Sequence, residues 1–275
     1  MELLKIAAGI KGLIQHEDKP VNQQQPFDSE VAEIKRLLRQ EGCPICRRGD
    51  EALKKKWFWF FHESYAEGIG AAEYIDNYGF CEKHTIDVLN AGPKWQKSVI
   101  YSLIIKYKLP KLERLRSTLR EIALARNPSD ADRNLRKLNG TITQVLPTNR
   151  CLFCNSVKQT ELYYMKILLN ALNDPDIREL YKTSHGLCLK HYFIALEYTD
   201  PEYIVGLREV TEHIISKMLE LKLNFDEFFR KSDYRFAHEP KGDEQTASSR
   251  AIRLFLGRTD DIIMKEREEV EEDVL

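Results

Sequence analysis

Cys43-Pro44-Ile45-Cys46 and, 108 residues further on, Cys151-Leu152-Phe153-Cys154 are the stretches on which the reading of this chain turns. Each is followed by a Cys-x2-His motif. Cys81-Glu82-Lys83-His84 comes 34 residues after the first pair, and Cys188-Leu189-Lys190-His191 comes 33 residues after the second. These motifs use all six cysteines of the 275-residue chain. Three thiolates and one imidazole form a donor set suited to tetrahedral zinc, and ligands this close in sequence can chelate from one turn or helix start. The spacing predicts one site from Cys43, Cys46, Cys81 and His84, and a second from Cys151, Cys154, Cys188 and His191. Four protein ligands leave no open coordination position, which points to a structural ion and not a catalytic one.

The similarity of the two segments extends beyond the ligands. Aligning Cys81 with Cys188 also pairs Tyr74 with Tyr181, Gly79 with Gly186 and Lys83 with Lys190. Apolar residues recur with helical period, and no alternating run argues for a sheet. The expected fold is all-α, built from duplicated helical units, each organised around a Cys3His metal site. Residues 1–42 read as an N-terminal arm, with a short helix over about Asp28 to Arg39. Residues 43–146 read as the first repeat with a basic linker, 147–257 as the second repeat with a long helix and tail, and 258–275 as an acidic end.

Within this plan, the periodicity of Leu112, Leu115, Leu119 and Ile122 predicts a helix that buries that stripe while Arg114, Arg116 and Arg120 stay in water. Asn127-Pro128-Ser129-Asp130 predicts its end, and Pro147-Thr148-Asn149 the boundary before the second repeat. Asp200-Pro201-Glu202 predicts a capped start to a long helix, along which Ile204, Leu207, Thr211, Ile214, Met218, Leu221, Phe225 and Phe228 form a heptad-like seam for internal packing or a dimer. Residues 232–249 read as a polar loop, and Ala251 to Leu256 as a short helix stopped by Gly257. Trp57-Phe58-Trp59-Phe60-Phe61 surrounds one helix with aromatics, so that part of it is buried and part is free to meet a partner.

Composition bounds the alternatives. The net charge is −1, so no global field draws the chain to nucleic acid, although Lys106 to Lys137 contains ten basic against four acidic residues. Nucleic-acid binding is the disfavoured alternative to a protein partner. The sequence contains no run long enough for a membrane span, and Glu2, Lys5 and Lys11 interrupt the apolar N-terminus, which makes it a poor signal peptide. A cytoplasmic protein with reduced thiols is expected. Zinc, two ions, is the expected cofactor; iron–sulfur clusters or a thiol redox role remain the other readings. His16, His62, His185, His213 and His238 read as structural or surface residues. No nucleophile and base pair or phosphate-cradling loop is recognisable, so the chain reads as an interaction or scaffold module with no assigned catalytic residue.

The duplicated Cys-x2-Cys and Gly-x-Cys-x2-His motifs, together with Phe228-Phe229-Arg230-Lys231-Ser232-Asp233-Tyr234-Arg235-Phe236, Glu239-Pro240-Lys241-Gly242 and Ser249-Arg250-Ala251-Ile252, resemble an uncharacterised prokaryotic family. The resemblance covers roughly residues 40–257. It implies a metal-binding fold and supplies no substrate.

Overall fold

A computed structural model describes residues 24–124, 131–148, 150–236 and 238–257. Most of the N-terminal arm with His16, the Asn127-Pro128-Ser129-Asp130 break, Asn149 and the acidic end lie outside the described residues. The described residues contain eleven α-helices and no strands. They are α1 (Gln24–Leu38), α2 (Pro44–Trp59), α3 (Gly68–Asp76), α4 (Glu82–Ala91), α5 (Lys94–Leu124), α6 (Ala131–Val145), α7 (Leu152–Ala171), α8 (Pro175–Thr183), α9 (Leu189–Ala195), α10 (Ile204–Lys231) and α11 (Ala247–Leu256). Helices α2, α4, α7 and α9 each begin directly after a cysteine.

Among the described residues, helices α2 and α7 form the most extensive helix contact, and they run antiparallel. At one end Trp57, in the last turn of α2, stacks on Phe153, in the first turn of α7, with ring centroids 3.7 Å apart. At the other end Gly49 meets the middle of α7 so closely that a Cβ there would lie 3.2 Å from Val157 Cγ1 and 2.9 Å from Glu161 Oε1. One apolar core gathers Ile34, Ile45, Met165, Leu168 and Tyr181 from α1, α2, α7 and α8, with Leu172 from the cap of α7. A second gathers Phe60, Tyr74, Ile100 and Phe153. Complete burial of Phe60 and of Phe153 contributes about 1.5–3 kcal/mol each before conformational entropy is charged.

The aromatic run divides between core and surface. Trp57, Phe60 and Phe61 pack inward, while Phe58 and Trp59 are exposed. The chain widens into a π-turn over Phe60–Ser64. Its smaller rotation per residue lets the consecutive Phe60 and Phe61 both face the second core.

Three helix-level expectations need correction. Helix α5 spans 31 residues, and its inward face carries Ile100, Ile104, Lys108 and Thr118. Leu112 and Leu119 are exposed. Lys108 moves the buried stripe because its ammonium is satisfied inside, donating to the Asp76 carbonyl at 3.0 Å and lying over the Tyr78 ring. Along α10 the buried residues are Gly206, Glu209, Val210, His213, Ile214 and Leu221. The expected seam is therefore only partly inward, with Ile204 and Met218 exposed. Asp200 provides no side-chain cap; a 3-10 turn at Pro201–Tyr203 leads into α10. Asp174 is the carboxylate that caps a helix, accepting from the Asp176 amide at 2.9 Å. The polar loop also ends earlier than expected, since a 3-10 turn at Asp243–Thr246 runs directly into α11 at Ala247.

Gly206 explains the placement of α10. A Cβ there would overlap the backbone of Leu169, which cannot retreat as a flexible side chain would. Gly206→Ala is expected to force α10 off α7 and cost about 3 kcal/mol. Chemical denaturation should show a lowered midpoint, and an unchanged midpoint would mean that the two helices are not in this close contact.

Candidate metal centres

Each cysteine pair and each Cys-x2-His pair is presented by a helix beginning. Cys43, Cys81, Cys151 and Cys188 occupy the positions before α2, α4, α7 and α9, and Cys46, His84, Cys154 and His191 fall in the first turns that follow. Pro44, at the first position of α2, gives up an amide that the helix would leave unpaired. The unpaired N–H groups and the dipole of a helix start favour a thiolate.

The turns before the Cys-x2-His motifs share a glycine but differ in their hydrogen bonds. Gly79 and Gly186 both have positive φ, 123° and 74°, a region costly for a residue with a Cβ. Gly79 donates to the Tyr74 carbonyl at 2.7 Å; Gly186 donates to Ser184 Oγ, and Leu187 donates to the Tyr181 hydroxyl, both at 3.1 Å. Gly186 has a second constraint, because a Cβ would strike the His213 ring, whereas the space beside Gly79 is open. Asn77 fixes the approach to Cys151 by accepting from the Arg150 amide at 3.0 Å and from the Thr148 hydroxyl at 2.8 Å.

All eight predicted side chains converge, but in different partnerships from those expected. Cys43 and Cys46 meet Cys188 and His191, while Cys151 and Cys154 meet Cys81 and His84. The Cys-x2-Cys pair of each segment is thus completed by the Cys-x2-His pair of the other. The antiparallel packing of α2 on α7 is the physical reason. It carries the start of α2 toward α9 and the start of α7 toward α4, and separates the pairs that are nearer in sequence.

In the first centre His191 Nδ1 lies 3.2 Å from Cys46 Sγ, 3.3 Å from Cys188 Sγ and 3.4 Å from Cys43 Sγ, and the Cys46 and Cys188 sulfurs are 3.7 Å apart. In the second, His84 Nδ1 lies 3.2 Å from Cys81 Sγ, 3.3 Å from Cys154 Sγ and 3.5 Å from Cys151 Sγ, and the Cys81 and Cys154 sulfurs are 3.5 Å apart. A tetrahedron with ordinary zinc bond lengths has edges of roughly 3.8 Å between sulfurs and roughly 3.6 Å between sulfur and nitrogen. Both groups come within a few tenths of an ångström of those edges.

The centres differ in their surroundings. The first is wholly buried, whereas in the second Cys154 is exposed and Cys81 and Cys151 are half-buried. The second is backed by aromatic rings, with Phe153 and Trp57 centroids 5.5 and 6.2 Å from that of His84. The first is backed by a carboxylate. His191 Nε2 faces Glu161 Oε2 at 3.5 Å, and Lys190 Nζ lies 3.3 Å from the same oxygen. With no cation bound, burial works against ionisation of Glu161, but contacts with a protonated His191 and with Lys190 outweigh it and hold the carboxyl below its ordinary range. With Nδ1 turned to the sulfurs, the imidazole proton belongs on Nε2, which faces Glu161 across 3.5 Å without a formed hydrogen bond. Without a cation the sulfurs cannot all ionise: contacts with Cys43 and Cys46 push Cys188 down, while contacts with Cys188 and Cys43 push Cys46 up.

Two contributors escape the motif search. Glu161 is inconspicuous in sequence because its equivalent in the first segment is Leu53, an apolar residue of the second core. Gly257 reads only as a helix stop and does end α11 in a left-handed conformation, but it also covers the first centre. A Cβ there would lie 2.5 Å from Cys188 Sγ and 2.7 Å from Cys46 Sγ. Of the other histidines, His185 lies in the loop before Gly186 with Nδ1 3.3 Å from the Gly186 carbonyl oxygen, and His213 Nε2 is 3.3 Å from the His185 carbonyl oxygen. His62 is bonded to the Phe58 carbonyl.

Glu161→Gln keeps the shape and removes the charge. It is expected to weaken metal retention at the first centre by about 10–100-fold, leaving the second unchanged. Competition with a chromophoric chelator measures this, and equal losses at both centres would rule out a role specific to the first centre.

These features make an all-helical protein with two Cys3His centres, each able to hold a metal ion. The chain belongs to DUF6062, a family of unknown function whose pattern matches residues 31–262. No curated protein and no solved structure is significantly similar to it. None of the described helices is long and apolar enough to cross a membrane.

Proposed function

We propose that each centre holds one structural zinc ion and that the two ions staple two copies of one helical unit, residues 43–146 and 147–257, into a scaffold that binds another protein. The exchange of ligand pairs carries this reading, because each ion would connect helix starts from different units, Cys46 to Cys188 and Cys81 to Cys154. The ligand atoms of each group lie within 4.8 Å of one another, which favours a single ion over a multi-iron cluster. The complete protein ligand set supports a structural role. Six cysteines without disulfides support a reducing, cytoplasmic setting. Exposed Phe58 and Trp59 at the end of α2, and Trp95 at the start of α5, favour a protein partner over nucleic acid.

Elemental analysis of anaerobically purified protein tests the metal assignment, with two zinc ions per chain expected and a colourless solution. Iron with visible absorption would replace zinc by an electron-transfer reading. The partner assignment is tested by recovery of a protein that depends on Trp59 and is insensitive to salt; salt-sensitive retention of short RNA or DNA would replace it.

A further inference from the structure

A cavity of about 380 Å³ opens beside the first centre, between the end of α1, the loop before Gly186, and helices α10 and α11. Its floor is apolar, formed by Leu38, Leu221 and Leu254, all buried. Among the described residues its lining is dominated by cations: Arg39, Lys217, Arg250 and Arg253 stand against two carboxylates, Glu41 and Glu220. Arg250 is engaged, donating to Glu220 and to the Asp243 carbonyl at 3.0 Å, and Lys217 lies 3.8 Å from Glu220. Among the described residues, Arg39 and Arg253 have no carboxylate partner. The Nε atoms of Arg250 and Arg253 are buried without a hydrogen-bond acceptor.

Buried guanidinium N–H groups without acceptors are costly, and proteins rarely leave them so. Burial holds His185 below its ordinary range, and the nearby Lys217 and Arg253 charges act in the same direction. A neutral imidazole adds no charge, so the excess of cations comes from the arginines and the lysine. Arg250 and Arg253 also line the cavity with side chains that are only partly buried, and arginine forks match carboxylate and phosphate oxygens. The apolar floor selects an organic body behind that anion.

We propose that this cavity binds a small organic oxyanion, with its carboxylate or phosphate between Arg253 and Arg250 and its apolar portion on Leu38, Leu221 and Leu254. The inference rests on the cavity and is independent of which metal the centres hold. Inorganic phosphate, phenyl phosphate, benzoate and neutral benzyl alcohol are the probes, titrated into the full chain at constant ionic strength. The arginine Nε–H resonances provide the readout.

Phenyl phosphate or benzoate is expected to shift the Arg250 and Arg253 signals saturably, and whichever binds tighter identifies the anion. Inorganic phosphate should bind at least about tenfold more weakly, and benzyl alcohol should leave these signals unmoved. Arg253→Gln should weaken binding by at least about tenfold while metal content and melting temperature stay unchanged. Should that variant not fold, Leu254→Ala offers a second test, reducing the preference for phenyl phosphate over inorganic phosphate. No saturable shift with any anion up to 10 mM, on the order of a millimolar ceiling for specific capture, would overturn the proposal. So would a change in the Arg253 signal, without any probe, when Glu266, Glu268, Glu269, Glu271, Glu272 and Asp273 are replaced by their amides in the full chain. That outcome would assign the cavity to the protein's own acidic segment.

Discussion

Cys43→Ser combined with Cys188→Ser should cost the protein one metal ion, whereas Cys43→Ser combined with Cys81→Ser should cost it both. A tetrahedral site that loses a thiolate loses most of its affinity, so each substitution removes the ion of the centre it belongs to. Cys43 and Cys188 sit in one centre; Cys43 and Cys81 sit in different ones. Native mass spectrometry of the two double variants reads the difference as one retained ion against none. The pairing suggested by sequence proximity gives the opposite result. One ion retained by the Cys43/Cys81 variant and none by the Cys43/Cys188 variant would therefore overturn the exchanged arrangement.

Metal removal should have the largest effect on stability. Apparent binding energies of structural zinc reach about 10–16 kcal/mol in small zinc-binding peptides, and that energy is released only when the folded state assembles the ligands. A typical domain has a net stability of about 5–15 kcal/mol, so losing one such ion can consume the margin. Chelation is expected to proceed in two stages. The centre with exposed Cys154 should release its ion first, and the wholly buried centre should release its ion only as the helical signal collapses. The pH dependence has one sign, because the thiolates must be deprotonated to bind. Acid returns protons to sulfur, so stability falls as pH is lowered and recovers when zinc is restored at neutral pH. Circular dichroism together with released zinc measures both stages. Metal-free protein with the same helix content and melting temperature would refute the structural role.

The chemistry of the centres was more legible in the sequence than their wiring. Thiolate and imidazole types identify candidate ligands without reference to fold, and helical periodicity excluded a sheet. Pairing was different in kind. Cys46 is nearer in sequence to Cys81 than to Cys188, but the partner is chosen by the antiparallel contact of α2 and α7, and no local signal reports which helices pack. Gly49 opposite Glu161 and Trp57 against Phe153 carry that information as shape complementarity, which a one-dimensional pattern does not display. Burial along α5 departs from the expected stripe for a related reason: Lys108 is polar by type and yet buried, because the Asp76 carbonyl accepts from its ammonium. The cysteines and histidines are less open to this ambiguity, because their donor chemistry marks them as candidate ligands wherever the fold places them.

The exchanged ligand pairs also impose an order on synthesis. A ribosome delivers Cys43, Cys46, Cys81 and His84 early, but in this arrangement they are two halves of different centres. The more exposed centre can close only after Cys154 has emerged, and the buried one only after His191. Until then the nascent chain carries two reactive dithiol or thiol–imidazole chelates able to capture an ion in the wrong partnership. The growing polypeptide therefore meets a choice between waiting and mispairing. A protein with consecutive, self-contained fingers does not face it, because there each centre closes before the next one is made.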